Sequence, residues 1–430
     1  ADVVLAARAQ LSGSSDRRSR LAALVASLVF ITSQRTETIA DFVVVENLDP
    51  ELLDTFMCEH VIDLGRKGWW HSWPALPGRF MPTPEQVASL VSNTDWIFLP
   101  LPDDICDAFK GGVGYPLLLS DCLGCSPNDM ERMLLEFCTS LRCGSNRTSP
   151  ARVRAHGFDY AVRTTADDTF ASGLQGTVEY APYSPLYYYA FPSKEGVLAH
   201  TQRMDSVGWP IATSEAIQAD AHFGSRLQPT EAAIKSLVEA LRQRLANARA
   251  AYEESRQPAT LAQLHNALAV YTLAMAIFST GHRRAREYSI VRWTLDLECL
   301  NLMVADKIVG TANSVRSVPL PEIAAAQIDA YLDHLEYLAS RVSRFNPGLA
   351  ASIRSLCQSN PGNDALPMLF LLDENLQHYR ALSHEVLRET VGDVWPLPWH
   401  AARHRLEMDT RANNLSAEYN HYRSGHISTG

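Results

Sequence analysis

The sequence predicts a mixed α+β fold, mainly α with a small antiparallel β-sheet. Three observations carry that expectation. Apolar residues recur at helical spacing over long stretches. Capping residues and prolines stand at the starts of those stretches. Short strand-like pieces are confined to a narrow window around residues 295–319. The chain has 430 residues, 46% of them hydrophobic, which suffices for two or three domains with their own cores.

Taken in order, the elements read as follows. Arg17, Arg18 and Arg20 precede the apolar run Leu21 to Ile31, a combination that mimics a secretion signal. No small-x-small cleavage site follows, and the run leads into Ser33-Gln34-Arg35-Thr36-Glu37, so a buried helix is expected. Thr83 is placed to cap a helix from Pro84 to Val91. Ser126 and Pro127 start a third, running to Leu141, with Met130, Leu134, Leu135, Cys138 and Leu141 at helical spacing. Residues 142–150 form a polar break, and 181–185 and 192–196 are loop-rich. Glu231 to Arg256 is rich in Ala, Leu, Arg and Glu and is ended by Pro258. Leu261 to Phe278 follows as a strongly apolar helix. Strand-like pieces come at Leu295 to Leu297, Leu302 to Val304 and Val315 to Pro319. Helices return at Pro321 to Val342 and Asp373 to Glu389, and His400 to Gly430 reads as two short helices joined by a polar turn.

Charge and cysteine usage narrow the function classes. The net charge of -10 counts against a simple nucleic-acid binder, although a local basic strip can serve a DNA path on an acidic protein. Eight cysteines in so long a chain do not form a secreted disulfide framework, so reduced, mostly buried thiols are expected. That implies a cytoplasmic location (nucleoid-associated in a bacterium) or a nuclear one. No run reaches the roughly 18 apolar residues of a membrane span, and no membrane partner is expected. No phosphate-binding or dinucleotide-binding glycine loop is evident, so nucleotide hydrolysis has no support.

The residues that carry chemistry lie in the C-terminal half. Arg283 ends Ser279-Thr280-Gly281-His282-Arg283, directly after an apolar helix. Lys307 falls in a turn between short strands. His400 and Arg403 form a His-x-x-Arg pair after the breaker run Trp395-Pro396-Leu397-Pro398, and His426 follows in Ser424-Gly425-His426. Two arginines, a lysine and two histidines are what phosphodiester exchange needs. Guanidinium forks stabilise the negative charge of the transition state, a lysine protonates the leaving oxygen, and histidines move protons. With cations already neutralising the phosphate, neither metal nor cofactor is implied. Arg284, Arg286 and Arg292 add a basic patch suited to nonspecific phosphate contact.

In order and spacing, these motifs resemble the catalytic domain of the tyrosine recombinase (phage integrase) family. Its Thr-Gly-x-Arg box is matched by Thr280-Gly281-His282-Arg283, and its hairpin lysine with a Val-Pro-Leu-type strand by Lys307 and Val318-Pro319-Leu320-Pro321. The His-x-x-Arg-His box is matched by His400-Ala401-Ala402-Arg403-His404, and the Gly-His box by Gly425-His426. The resemblance covers about residues 258–430. It implies that Arg283 and Arg403 clamp the scissile phosphate, Lys307 is the general acid, His400 assists proton transfer and His426 binds the phosphate. It further implies DNA recombination or integration by a mobile element through a 3′-phosphotyrosyl intermediate. The partner would be double-stranded DNA, with a tetramer on paired sites or a hetero-assembly. The alternative is a non-catalytic DNA-binding or assembly protein derived from the same fold. The family's nucleophilic tyrosine lies about nine residues beyond the Gly-His box, so it is expected past Gly430, the last residue here.

The N-terminal half resembles a worn second copy. Leu28 to Arg35 echoes Ala276 to Arg283, and Met81-Pro82-Thr83-Pro84 echoes Val318 to Pro321. Arg154 lies 119 residues past Arg35, as Arg403 lies 120 past Arg283. Tyr187, in Tyr187-Tyr188-Tyr189, stands where the family would put its nucleophile, but Ala151 and Thr177 replace the histidines. Residues 1–200 are accordingly expected to be a degenerate recombinase-like domain, 201–257 a helical connector and 258–430 the catalytic domain. Two further signals are given structural readings. Cys122-x-x-Cys125 with Cys138 and Cys143 has zinc-ligand spacing, yet Cys138 shares an apolar helix face, so buried thiols are expected. The indole-rich Trp69-Trp70-His71-Ser72-Trp73 could stack on bases, but core packing is expected.

Overall fold

The apolar run after the N-terminal arginines forms helix α2 (Arg17–Thr32), started by the Asp16 carboxylate, which accepts from the amides of Arg18 and Ser19. It follows α1 (Asp2–Gly13) and is buried from Ala22 to Thr32, so it is a core helix. The computed structural model describes residues 2–74, 79–109, 113–142, 148–177, 179, 186–211, 221–282, 290, 292–305, 315–357, 366–413, 415, 416, 419, 422 and 423. They fall into two units, Ala1–Phe80 with Ser92–Arg226, and Met81–Val91 with Leu227–Gly430. The fold is mixed α+β and mostly helical.

In the first unit, α2 is followed by α3 (Thr36–Ala40) and by strands β1 (Val43–Val45), β2 (His60–Asp63) and β3 (Gly68–Ser72). After β4 (Asn93–Thr94) come β5 (Trp96–Pro100) and β6 (Leu117–Leu118). Five of these strands make a sheet in the order β5-β3-β2-β1-β6, which goes beyond the small antiparallel sheet expected. Its β1–β2 pair is parallel and the other pairs are antiparallel. Alternating residues of β3 point to opposite faces. Trp69 joins the main core with Phe42 and Trp73, while Trp70 packs on the other face with Val61, Trp96 and Phe98. All three indoles of the Trp-rich run are buried, so it is core rather than a base-stacking platform.

Helices α4 (Pro127–Ser140) and α5 (Pro150–Thr165) pack on α2, and α6 (Asp168–Gln175) packs on α5, with Ser126, Ser149 and Asp167 as their N-caps. Strand β7 (Ala190–Pro192) leads into α7 (Ser193–Ser206), and β8 (His222–Gly224) pairs with β7 and β4. Because β8 closes this second sheet, the first unit extends past residue 200 to Arg226.

Helix α5 lies close on α2 because Gly157 has no side chain. A Cβ there would sit 2.2 Å from the Phe30 carbonyl oxygen and 2.9 Å from Ser33 Oγ. Alanine gains about 1 kcal/mol over glycine in a helix interior. Overpacking against backbone costs about 1–3 kcal/mol or more, and the clash wins. Gly157→Ala is therefore expected to lower the thermal midpoint by several degrees (about 2–4 °C per kcal/mol for a unit of this size), read by a circular-dichroism melt. An unchanged or raised midpoint would show that the helices can separate freely.

In the second unit, helices α8 (Glu231–Ser255) and α9 (Pro258–Thr280) pack on each other, so the expected connector 201–257 is not a separate element: it belongs to the first unit up to Arg226 and to the second from Leu227. Residues Met81–Val91 join it through the Gln86 amide on the Pro396 carbonyl (2.9 Å) and Val91 N on Gln228 O (2.8 Å). The helix expected over Pro84 to Val91 is one turn, Pro84–Val87. Helix α9 is long and apolar enough to cross a membrane, contrary to the reading of the sequence, but two-thirds of its apolar window (67%) is buried inside the structure.

Beyond α9, β9 (Leu295–Asp296), β10 (Asn301–Ala305) and β11 (Val315–Pro319) form the expected antiparallel sheet, with Leu302 opposite Val318. Helices α10 (Glu322–Val342) and α11 (Pro347–Cys357) follow. The single helix expected over Asp373 to Glu389 is instead a hairpin and a shorter helix. Strands β12 (Phe370–Leu372) and β13 (Tyr379–Ala381) flank a turn held by Asp373, whose carboxylate accepts from Gln377 N (2.7 Å) and His378 N (3.0 Å). Leu376 takes φ 57° within that turn. Helix α12 (His384–Val391) starts only after Ser383 supplies a cap, and α13 (Ala401–Ala412) follows it. The Asn266 side chain of α9 exchanges two hydrogen bonds with the Leu372 backbone, fixing the hairpin to the core helix.

Candidate functional site

The end of α9 sets the geometry. Thr280 Oγ1 donates to Ala276 O (2.7 Å) and accepts from the His282 amide (3.4 Å) and ring Nδ1 (2.7 Å), which holds His282 buried. Gly281 takes φ 59°, a left-handed cap. A Cβ on it would lie 2.8 Å from Leu406 Cδ2, so glycine also permits the approach of α13. The breaker run Trp395 to Pro398 proves to be a packing device. Trp395 and Trp399 both contact the Phe278 ring of α9 (centroids 5.4 and 6.4 Å). That contact brings the first turn of α13 to the end of α9.

Arg403 sits in that first turn, 2% exposed, and its guanidinium donates to the Gly281 carbonyl (3.4 Å). His400 stands at the N-cap position of the helix, exposed and with no side-chain capping bond, its ring 5.9 Å from that of His404. Two further arginines converge on the same corner. Arg423 donates to Ser279 O (2.7 Å), and Arg316 of β11 donates to the Arg423 carbonyl (2.8 Å). Burial lowers the pKa of Arg423, offset in part by Tyr419 and Glu407. Guanidinium resists deprotonation so strongly that this remains a cation. The buried Glu407 on α13 balances part of the local charge.

The structure therefore gathers the residues next to three of the four motifs. His282 immediately precedes Arg283, Arg423 stands three before His426, and Arg403 is itself present. Arg283, Arg284, Arg286, Lys307 and His426 lie outside the described residues. Lys307 belongs to the stretch joining β10 to β11. Arg292 turns to its own loop and donates to Leu295 O (3.2 Å), which is a structural contact. Sequence reasoning missed Arg316 and Arg423. Arg316 is a buried residue within a strand, where an unexpected cation signals a site, and Arg423 adjoins the Gly-His pair.

In the first unit, Arg35 and Arg154 meet on one carboxylate. Arg35 Nη2 and Arg154 Nη2 each lie 3.0 Å from Glu179 Oε1. A cleft of about 380 Å³ adjoins them, lined by Gln34, Thr36, Glu37 and Glu131 among others. Thr36 donates to Glu131 (2.8 Å), and Gln34 donates to the carbonyls of Gln175 (2.9 Å) and Gly176 (3.1 Å). Tyr187 is half-buried against the main core, and Tyr189 is buried. Arg203, which the sequence did not single out, is buried and staples the end of α2 by donating to Ile31 O (2.6 Å) and Gly157 O (3.2 Å). Burial pushes its pKa down to about 9.

Cys122 and Cys125 are half-buried and Cys138 is buried on α4, with burial raising each thiol, Cys138 to about 11. Cys143 lies outside the described residues, among which no three His, Cys, Asp or Glu side chains gather as a metal site. Compared with models of known protein families, with curated proteins and with solved structures, the chain matches none of them.

Proposed function

We propose that the second unit is a tyrosine-recombinase-type catalytic domain that cuts and rejoins DNA through a 3′-phosphotyrosyl intermediate. The observation that carries this reading is the meeting of Arg403, Arg316 and Arg423 at the Thr280-Gly281-His282 end of α9, directly before Arg283. The Thr280-Gly281-His282-Arg283, Lys307, His400-x-x-Arg403 and Gly425-His426 motifs follow the family's order along the chain, and a cationic corner on an acidic protein is suited to one phosphate.

In the reaction, a tyrosine hydroxyl attacks the scissile phosphorus and the bond to the 5′-oxygen breaks. The family's spacing puts that tyrosine about nine residues beyond the Gly425-His426 pair. Lys307 protonates the leaving oxygen, and His400 accepts the proton from the attacking hydroxyl. Arg283 and Arg403 bind the non-bridging oxygens, where developing charge makes each donor worth about 10²–10³ in rate. His426 adds a further phosphate contact. Double-stranded DNA is the partner, and a tetramer on two duplexes is the assembly that strand exchange requires.

The test is relaxation of supercoiled plasmid by protein expressed from its whole reading frame, with denaturing gels to detect a covalent protein–DNA adduct. Relaxation together with an adduct is expected. DNA bound without relaxation or adduct, on plasmids carrying the element's own termini, would replace this reading with a non-catalytic DNA-binding one.

A further inference from the structure

The same local geometry occurs at the ends of α2 and α9. Thr32 Oγ1 donates to Leu28 O at 2.7 Å, as Thr280 Oγ1 donates to Ala276 O at 2.7 Å. Ser33 takes φ 55° where Gly281 takes φ 59°. The Gln34 amide donates to Thr32 Oγ1 (3.3 Å) as the His282 amide donates to Thr280 Oγ1 (3.4 Å). A second helix then crosses each end. Gly157 of α5 faces Ser33, and Leu406 of α13 faces Gly281, so each crossing uses one glycine to bring the helices close. The next residue after each turn is an arginine, Arg35 or Arg283, and each crossing helix carries another, Arg154 or Arg403.

In the first unit those two arginines hold a carboxylate. Glu179 Oε1 receives both guanidinium groups at 3.0 Å, and Oε2 receives Arg35 Nε at 3.4 Å. An oxygen bridging two arginine forks occupies the position a phosphoryl oxygen takes in arginine–phosphate recognition. The adjoining cleft, about 380 Å³, can hold a phosphate group. Glu37 and Glu131 also line it and repel an incoming anion, although Glu131 accepts from Thr36.

We propose that Arg35 and Arg154 form a phosphate-binding site that Glu179 closes from within the same chain. With Ala151 and Thr177 where the C-terminal half has His400 and His426, the site binds without cleaving. A phosphate enters by displacing the Glu179 carboxylate, so the native chain binds it weakly. The site stands on the contacts of the first unit alone and does not require strand exchange by the second.

The experiment compares the full chain with Glu179→Gln and with Glu179→Gln combined with Arg154→Ala. Thermal midpoints are followed against inorganic phosphate, with chloride at matched ionic strength as the reference. A ligand that binds the folded state raises the midpoint in proportion to its occupancy. Glu179→Gln is expected to bind phosphate about tenfold more tightly than the native chain, and Arg154→Ala to remove that gain. If Glu179→Gln does not fold in chloride, the expectation becomes rescue of folding by phosphate. Titration of a short duplex into the same variants separates the sources. A gain for both ligands points to a DNA backbone phosphate, and a gain for phosphate alone to a free phosphate. A Glu179→Gln response equal to the native one, a gain that survives Arg154→Ala, or failed rescue overturns the proposal.

Discussion

Arg403→Ala is expected to abolish adduct formation, with strand cleavage falling by at least about 10²–10³-fold, the usual loss when one preorganised donor to a developing oxyanion is removed. The side chain is 2% exposed and is held against the Gly281 carbonyl, so its position is set without a ligand. That rigidity is what makes a guanidinium effective, because no reorganisation is needed in the transition state. Alanine also leaves the Gly281 carbonyl without this donor, a stability loss of about 1–3 kcal/mol, so lost activity alone could come from a damaged fold. Arg403→Lys separates the two effects. It keeps the apolar stem and the charge but not the planar fork. The expected pattern is a melting midpoint near that of the native protein together with adduct formation still depressed at least tenfold. The readouts are a melt and the rate of adduct formation on a nicked DNA substrate. Native-like cleavage by Arg403→Lys would remove Arg403 from the clamp.

The parts of this fold that were legible in the sequence are those decided locally. Ser126-Pro127 announces a helix start, and Pro258 the end of the helix before it, because a cap or a fixed φ acts within one turn of its own residue. Strands β10 and β11 were legible as short strand-like pieces, and the structure pairs them with Leu302 opposite Val318. The large sheet of the first unit was not, because Trp96 to Pro100 is apolar at every position and a doubly buried strand has no period to read. The hairpin at Phe370 to Ala381 was mistaken for helix because Asp373 and Leu376 make its turn without glycine or proline.

The site divides in the same way. Arg403 was proposed from its motif, since the spacing of side chains in a helical turn survives in sequence, and the structure places it at the end of α9. Glu179, Arg316 and Arg203 were not, because each acts on residues more than twenty positions away and nothing beside it in the chain records that partner. The transfer of residues 81–91 to the second unit is a nonlocal choice of the same kind. It is made by Gln86 with Pro396 and by Val91 with Gln228, and no linker-like composition marks it.

The largest stability effect expected of the first unit comes from acid. His60, His71 and His200 are wholly buried and held neutral. Burial is the leading cause for each, lowering His71 to about 4, His200 to about 3 and His60 well below the ordinary 6.5. His71 Nε2 donates to Leu174 O (2.7 Å) and His200 Nε2 to Pro100 O (2.9 Å), and both bonds tie strands to neighbouring elements. His60 lies between Phe42 and Trp69 (ring centroids 4.5 and 5.7 Å), and its Nδ1 has no hydrogen-bond partner among the described residues. The sign follows from the depressed folded values. Above pH 6.5 both folded and unfolded chains carry neutral histidines, so stability is at its full level. As pH falls below 6.5 the unfolded chain takes up protons that the folded unit refuses, and stability is lost until the folded values are reached. Each such histidine contributes up to about 1.4 kcal/mol per pH unit in that window, so three together weaken the unit steeply between pH 6 and pH 5. That range lies above the ordinary titration of carboxylates and isolates the histidine contribution. Urea midpoints are expected to be level from pH 8 to pH 7 and to fall sharply by pH 5. His60→Phe removes one titrating group and its unsatisfied nitrogen while keeping the aromatic contacts. It should flatten that fall by about a third on the same per-proton reckoning. A slope unchanged by His60→Phe would mean that some group other than the neutral histidine beside Phe42 and Trp69 takes up the proton that unfolds the unit.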